Sequence, residues 1–188
     1  MHLAHHSLAS LLVESGDLEG YRRLCARVLT RLGATDDPSV AEWMAKDCLI
    51  LPADGEQLSA AAKLADTAVT KGKDHLYFAF FEFAKGLAEY RQAHFASAVE
   101  WLQKVLAHTG VDLRDAQAYL VLAMAHHQSG HSQEARASFA KGAEIIDAKL
   151  PKLESGDIGE GWTDWIIAHV LLKEAKGLIR EPRAAASK

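Results

Sequence analysis

Residues 115–146 read DAQAYLVLAMAHHQSGHSQEARASFAKGAEII, two runs of Ala, Leu and long polar residues parted by Ser129-Gly130-His131. Both runs are rich in strong helix formers, and Gly130 has the backbone freedom to end one helix and let another begin. The same break recurs along the chain. Gly16-Asp17-Leu18, Gly55-Glu56-Gln57, Ala93-His94-Phe95 and Gly130-His131-Ser132 begin at intervals of 39, 38 and 37 residues. Seven positions before each break stand Ala9, Cys48, Gly86 and Ala123. Five positions after it stand Tyr21, Ala60, Ala98 and Ala135, and four further on Cys25, Leu64, Leu102 and Phe139. Small side chains on both sides of a turn let two antiparallel helices approach closely. The larger residue of the last column is then expected to fill the space against the following unit. Ala93, standing where the others have Gly, predicts a tighter or differently shaped turn.

Composition supports a helical chain. In 188 residues, 33 Ala and 24 Leu stand against 22 Val, Ile and Thr together, with only four Pro and 49% hydrophobic residues. A charged fraction of 24% among so many apolar positions is incompatible with a disordered tail. A net charge of −4 leaves no electrostatic footprint for nucleic acid or an anionic membrane. The longest uncharged run, 116–133, carries Gln117, His126, His127, Gln128 and His131, too polar for a bilayer core. Met1 to His6 has neither the basic start nor the apolar centre of a signal peptide. Two cysteines do not make a disulfide framework. The expectation is a cytoplasmic, all-α chain.

The aligned columns resemble the tetratricopeptide repeat, a helix–turn–helix unit of about 34 residues. The match is best at 115–146, where Tyr119, Leu122, Ala123, Gly130, Ala135 and Phe139 fall on the family pattern. The unit at 74–107 follows with Gly86, Phe95, Ala98 and Leu102, while the first two units are degenerate. Tyr21 holds a normally small position there, and Pro52 sits late in the third helix. The resemblance implies a right-handed α-solenoid, a scaffold rather than an enzyme. A narrower similarity links Tyr21 to Cys25, Asp47 to Pro52, Trp162 to Trp165 and Glu174-Ala175 to the C-terminal helical-repeat region of large bacterial serine/threonine protein kinases. That similarity implies the interaction end of a longer signalling protein, because no Gly-rich phosphate loop, His-Arg-Asp or Asp-Phe-Gly is present.

Nine helices are expected, at about 2–14, 18–32, 38–51, 56–72, 75–92, 95–108, 112–129, 132–149 and 162–180. The first eight make four hairpins within residues 1–150, at 2–32, 38–72, 75–108 and 112–149. Asp37-Pro38-Ser39 suits a helix start, and Asp112 and Ser132 are expected N-caps. A linker at 151–161 holding Gly156, Gly159 and Gly161 is expected to be mobile. The helix at 162–180 carries Trp165, Ile166, His169, Leu172 and Leu178 as an apolar face, suited to capping the fourth hairpin. Residues 181–188 read as a flexible tail.

Ten histidines are the one anomaly of composition. His126, His127 and His131, or His2, His5 and His6, are the candidate metal ligands. Neither cluster has a nearby carboxylate or Cys to complete a zinc set, so no metal and no cofactor is expected. Cys25 and Cys48 fall on packing columns and read as small hydrophobes. Glu82 with Glu89, or Glu160 with Asp164, are the carboxylate pairs to weigh as acid–base partners. Nothing in the spacing brings either pair into one pocket, and no enzyme activity is expected.

Of Tyr77, Phe78, Phe80, Phe81 and Phe83, one helix cannot turn all five inward. Transferring the repeat geometry, the concave face takes Phe80, Phe83, Leu87, Tyr90 and Arg91 from the third unit and Gln117, Leu120, Met124, His127 and Gln128 from the fourth. Glu42, Ala45, Lys46 and Leu49 line it in the second unit, and His6, Ser10 and Glu14 in the first. A groove apolar in its middle and polar at its ends suits a bound protein or peptide segment. The alternative is a structural domain, or a homodimer, whose groove is filled by its own C-terminal helix or a second copy. The Lys, Arg and Asn clamp with which some repeat proteins grip a terminal carboxylate is absent, since His6, Ser10, Ala45 and Leu49 stand in its places.

Overall fold

Runs of Ala and Leu spaced by long polar residues lose little side-chain freedom in a helix, and this chain takes up helix almost throughout. The computed structural model describes residues 2–108, 110–152, 154 and 156–180; the expected tail at 181–188 lies outside them. Among the described residues there are nine helices and no strand. They are α1 (His2–Glu14), α2 (Leu18–Leu32), α3 (Pro38–Leu49), α4 (Gly55–Lys71), α5 (Phe78–Arg91), α6 (Phe95–Ala107), α7 (Asp112–Gln128), α8 (Ser132–Lys149) and α9 (Trp162–Arg180).

Helix ends follow local chemistry. The Asp37 carboxylate accepts from the backbone N–H groups of Ser39 and Val40 at 2.9 and 3.1 Å, capping α3 just before Pro38. That helix stops at Leu49, short of the expected 51, because Pro52 disfavours helix at the residue before it. Helix α5 starts at Phe78 and not at 75. His75, Leu76 and Tyr77 turn first, with the Phe78 N–H donating to the His75 carbonyl and the Tyr77 N–H to His75 Nδ1. Asp112 and Ser132 are not N-caps. They are the first helical residues, preceded by Val111 and His131, neither of which makes a side-chain cap bond.

The turn at Ala93 is not a different shape. Its φ is +62°, in the same left-handed region as Gly130 at +82°. Both turns close with the same pair of bonds, Ala93 N–H to Tyr90 O and His94 N–H to Glu89 O in one, Gly130 N–H to His127 O and His131 N–H to His126 O in the other. Helical geometry on both sides imposes the turn, and a Cβ is tolerated within it.

Three-residue turns reverse the chain, so α1 packs on α2, α5 on α6 and α7 on α8; α3 and α4 pair in the same way across a longer connection. The odd-numbered helices also pack in succession, α1 on α3, α3 on α5 and α5 on α7, forming an inner layer. Such an order is compatible with a helical repeat. Within the α5–α6 pair, a Cβ on Gly86 would stand 2.9 Å from Cγ and Cδ2 of Leu102. Leu102 therefore fills space inside its own pair, where the sequence suggested the following unit. Helix α9 lies against α7 and α8 and also against α1.

Candidate functional site

The residues expected on the concave face come from α1, α3, α5 and α7, the inner layer. Most are buried: Leu87, Leu120 and Met124 are fully enclosed, and Phe83, Tyr90 and Gln117 nearly so. The second unit's Glu42, Ala45, Lys46 and Leu49 are buried too, as are His6 and Ser10 from the first. Phe80, Arg91, His127 and Gln128 are half-buried.

Helix α9 supplies the counter-charges for this face. Lys46 Nζ donates to Asp164 Oδ1 at 3.1 Å, and Gln117 Nε2 donates to the same oxygen at 3.2 Å. Arg91 grips Glu174 with both terminal nitrogens, at 2.5 and 2.8 Å. Its remaining donors go to the carbonyls of Leu49 and Ile50 at the end of α3, at 3.0 and 2.8 Å. A planar guanidinium making two parallel bonds to a carboxylate fixes orientation as well as proximity. Asp164 and Glu174 are ten residues apart, about 15 Å along a helix. They sit on the same stripe as the buried Ile167, Ala168, Leu171 and Ala175.

The Asp164 end of this face opens onto a cavity of about 460 Å³ lined by Ser39, Glu42, Trp43, Lys46, Tyr77, Phe80, Phe81, Glu160 and Asp164. The fold thus brings Glu160 and Asp164 into one pocket, against the reading from spacing. Glu42 Oε1 lies 3.0 Å from Lys46 Nζ without hydrogen-bond alignment. Burial pushes the Glu42 pKa up to about 7, against the pull of Lys46. Burial also opposes the charge on Lys46, but Asp164 and Glu42 outweigh it and hold the ammonium above its ordinary pKa. Burial opposes ionisation of Asp164 as well, yet Lys46, His6 and Gln117 keep it below the usual carboxylate range. One ammonium shared by two carboxyls is a self-consistent ionic seam between α3 and α9. Beside it, His6 Nδ1 lies 2.6 Å from Asp47 Oδ1, joining α1 to α3.

At the Glu174 end, Tyr90, Arg91 and Gln128 line a shallow cavity of about 340 Å³ together with Pro52, Phe95 and Leu178. Gln128 lies beside Tyr90, whose phenol burial pushes up to about 12. Glu82 and Glu89 do not meet. Glu82 pairs with His108 at 3.1 Å, and Glu89 with Lys85 and His94. Of the aromatic cluster, Phe81 and Phe83 are buried, Phe78 and Phe80 half-buried and Tyr77 exposed.

The rings of His126 and His131 face each other at 5.9 Å, and His6 stacks on Trp43 at 5.8 Å. Among the described residues no group of three His, Cys, Asp or Glu side chains is placed to hold a metal ion. No helix among them is long and apolar enough to cross a membrane.

Asp164 and Glu174 are the members of this site that the sequence reading passed over as binding groups. Their signal was present: two acids on the stripe of α9 that also carries Ile167, Leu171 and Ala175, where a plain cap would carry only apolar residues. No family model and no curated protein matches this chain.

Proposed function

We propose that this chain is a non-catalytic protein-interaction module, a right-handed solenoid of four tetratricopeptide-like hairpins whose concave face accepts an amphipathic helix. In the isolated chain α9 is that helix. The observation that carries the reading is the pair of matched charges across the face, Lys46 with Asp164 and Arg91 with Glu174. Simple burial of an apolar stripe needs no such register marks, whereas recognition of a helix uses anchors at helical spacing together with charges that set its register. The repeat arrangement is supported by the periodic columns and by the pairwise packing of successive helices. The setting in a larger bacterial signalling protein belongs to the same proposal and rests on the similarity of the Tyr21–Pro52 region.

The decisive experiment reverses both acids, Asp164→Lys with Glu174→Lys, and follows hydrogen exchange by mass spectrometry. Residues 162–180 are expected to lose protection while α3 to α8 keep theirs. A synthetic peptide of residues 162–180 with its native acids is then expected to bind the reversed chain and not the wild type. A reversed chain that releases α9 yet ignores the peptide would refute the acceptor groove. Collapse of all helices together would instead favour a structural domain in which α9 is a fixed part of the core.

A further inference from the structure

The two cysteines, 23 positions apart in sequence, come together in space. Cys25 on α2 and Cys48 on α3 lie on packed helices across the joint between the first and second helical pairs, each thiol within interaction range of the other. Both side chains line one solvent-open cavity of about 490 Å³, with Leu18, Tyr21, Arg22, Leu51 and Pro52 around them. Tyr21 stands over the pair, its hydroxyl donating to the Asp47 carbonyl at 2.7 Å. Two buried thiols that serve only as small hydrophobes have no need of each other or of an opening to solvent.

We propose that Cys25 and Cys48 form a dithiol site that is oxidised to an intramolecular disulfide by low-molecular-weight disulfides of the glutathione class. The two sulfurs divide the work. The neighbouring Cys48 thiol holds the Cys25 pKa below the ordinary thiol value, while the interaction with Cys25 and burial push Cys48 up. Cys25 is thus the attacking sulfur and Cys48 the resolving one. The Cys25 thiolate attacks one sulfur of RSSR; a mixed disulfide forms, the S–S bond of the reagent breaks, and RS⁻ leaves to take a proton from water. Cys48 then gives its proton to solvent and attacks Cys25 Sγ, expelling the second RS⁻. The dithiol loses two electrons and two protons, and the reagent gains them as two RSH. The product ties α2 covalently to α3.

The test is intact mass under non-reducing conditions after incubating the full folded chain with oxidised glutathione. The wild type is expected to lose two hydrogens, to retain no glutathione and to stay monomeric. Cys48→Ser is expected to stop at one bound glutathione on Cys25, and Cys25→Ser to react roughly tenfold more slowly or not at all. Two free thiols persisting in the folded wild type, while the urea-unfolded chain reacts, would overturn the proposal. So would disulfide-linked dimers in place of the internal bond, or equal reactivity of the two single variants. The wild-type arm stands without either variant, so a folding defect in one of them does not remove the test.

Discussion

Glu42 is the residue whose protonation the fold alters most usefully for measurement. Its carboxyl is almost fully enclosed, and burial raises its pKa from 4.5 in the unfolded chain to about 7. Below 4.5 the group is protonated in both states and contributes nothing to pH dependence. Between 4.5 and about 7 the folded chain holds a proton that the unfolded chain has released, so stability falls as pH rises through that window. Above it, the buried charge is a standing cost. Glu42→Gln removes the group that titrates while keeping its shape. Relative to wild type the variant is expected to gain stability from pH 4.5 to 7, by up to about 3 kcal/mol at the upper end. Urea midpoints at several pH values measure it, and parallel curves for the two proteins would show that Glu42 ionises as freely folded as unfolded. Asp164 has the opposite sign: its depressed pKa contributes stability that is lost only as pH falls below the ordinary carboxylate range.

Among the elements, the α5–α6 turn gives the sharpest comparison. Ala93 holds the left-handed conformation that Gly130 holds between α7 and α8, with the same closing bonds. An L-residue is disfavoured there by roughly 1–2 kcal/mol, part of which Gly forfeits through its freer unfolded state. Ala93→Gly is therefore expected to stabilise the chain by about 0.5–1 kcal/mol, read as a higher thermal midpoint. A lower midpoint would mean that the turn is shaped around the Ala side chain. Turns of this kind were legible because they recur at fixed offsets from small-residue columns. The start of α5 was not, since His75 closes a turn with its ring nitrogen and no spacing rule encodes that bond. The residues assigned to one face fall on α1, α3, α5 and α7, the helices that pack in succession. What lies on that face was not legible. Lys46, Arg91 and Gln117 read as lining of a groove, and the sequence separation from Asp164 and Glu174 hid the fact that the chain carries their counterparts itself.

For the whole molecule, the contact of α9 with both α1 and α7 changes how the helices depend on one another. In an open stack each unit leans only on its neighbours, and the ends fray independently. Here Arg91 joins the end of α3, its own helix α5 and α9 through four hydrogen bonds. Removing one partner of such a buried pair strands a carboxylate and two carbonyls, and about 3 kcal/mol is the expected loss for Arg91→Ala. The form of the loss is as telling as its size. In wild type, residues 162–180 are expected to exchange their amides together with the core; in Arg91→Ala they are expected to open first, as a separate unit. Uniform weakening of every helix, with α9 still opening last, would assign Arg91 a purely local role.

The same closure bears on how such a chain can grow. Repeat arrays commonly lengthen by duplication, because a new unit needs to match only the one beside it. A chain in which α9 must also reach α1 has no such liberty. An extra helical pair inserted between α2 and α3 would carry α1 away from α9 and part His6 from Asp47. Among the described helices, the number of pairs that fit between α1 and α9 is then set by the reach of one helix.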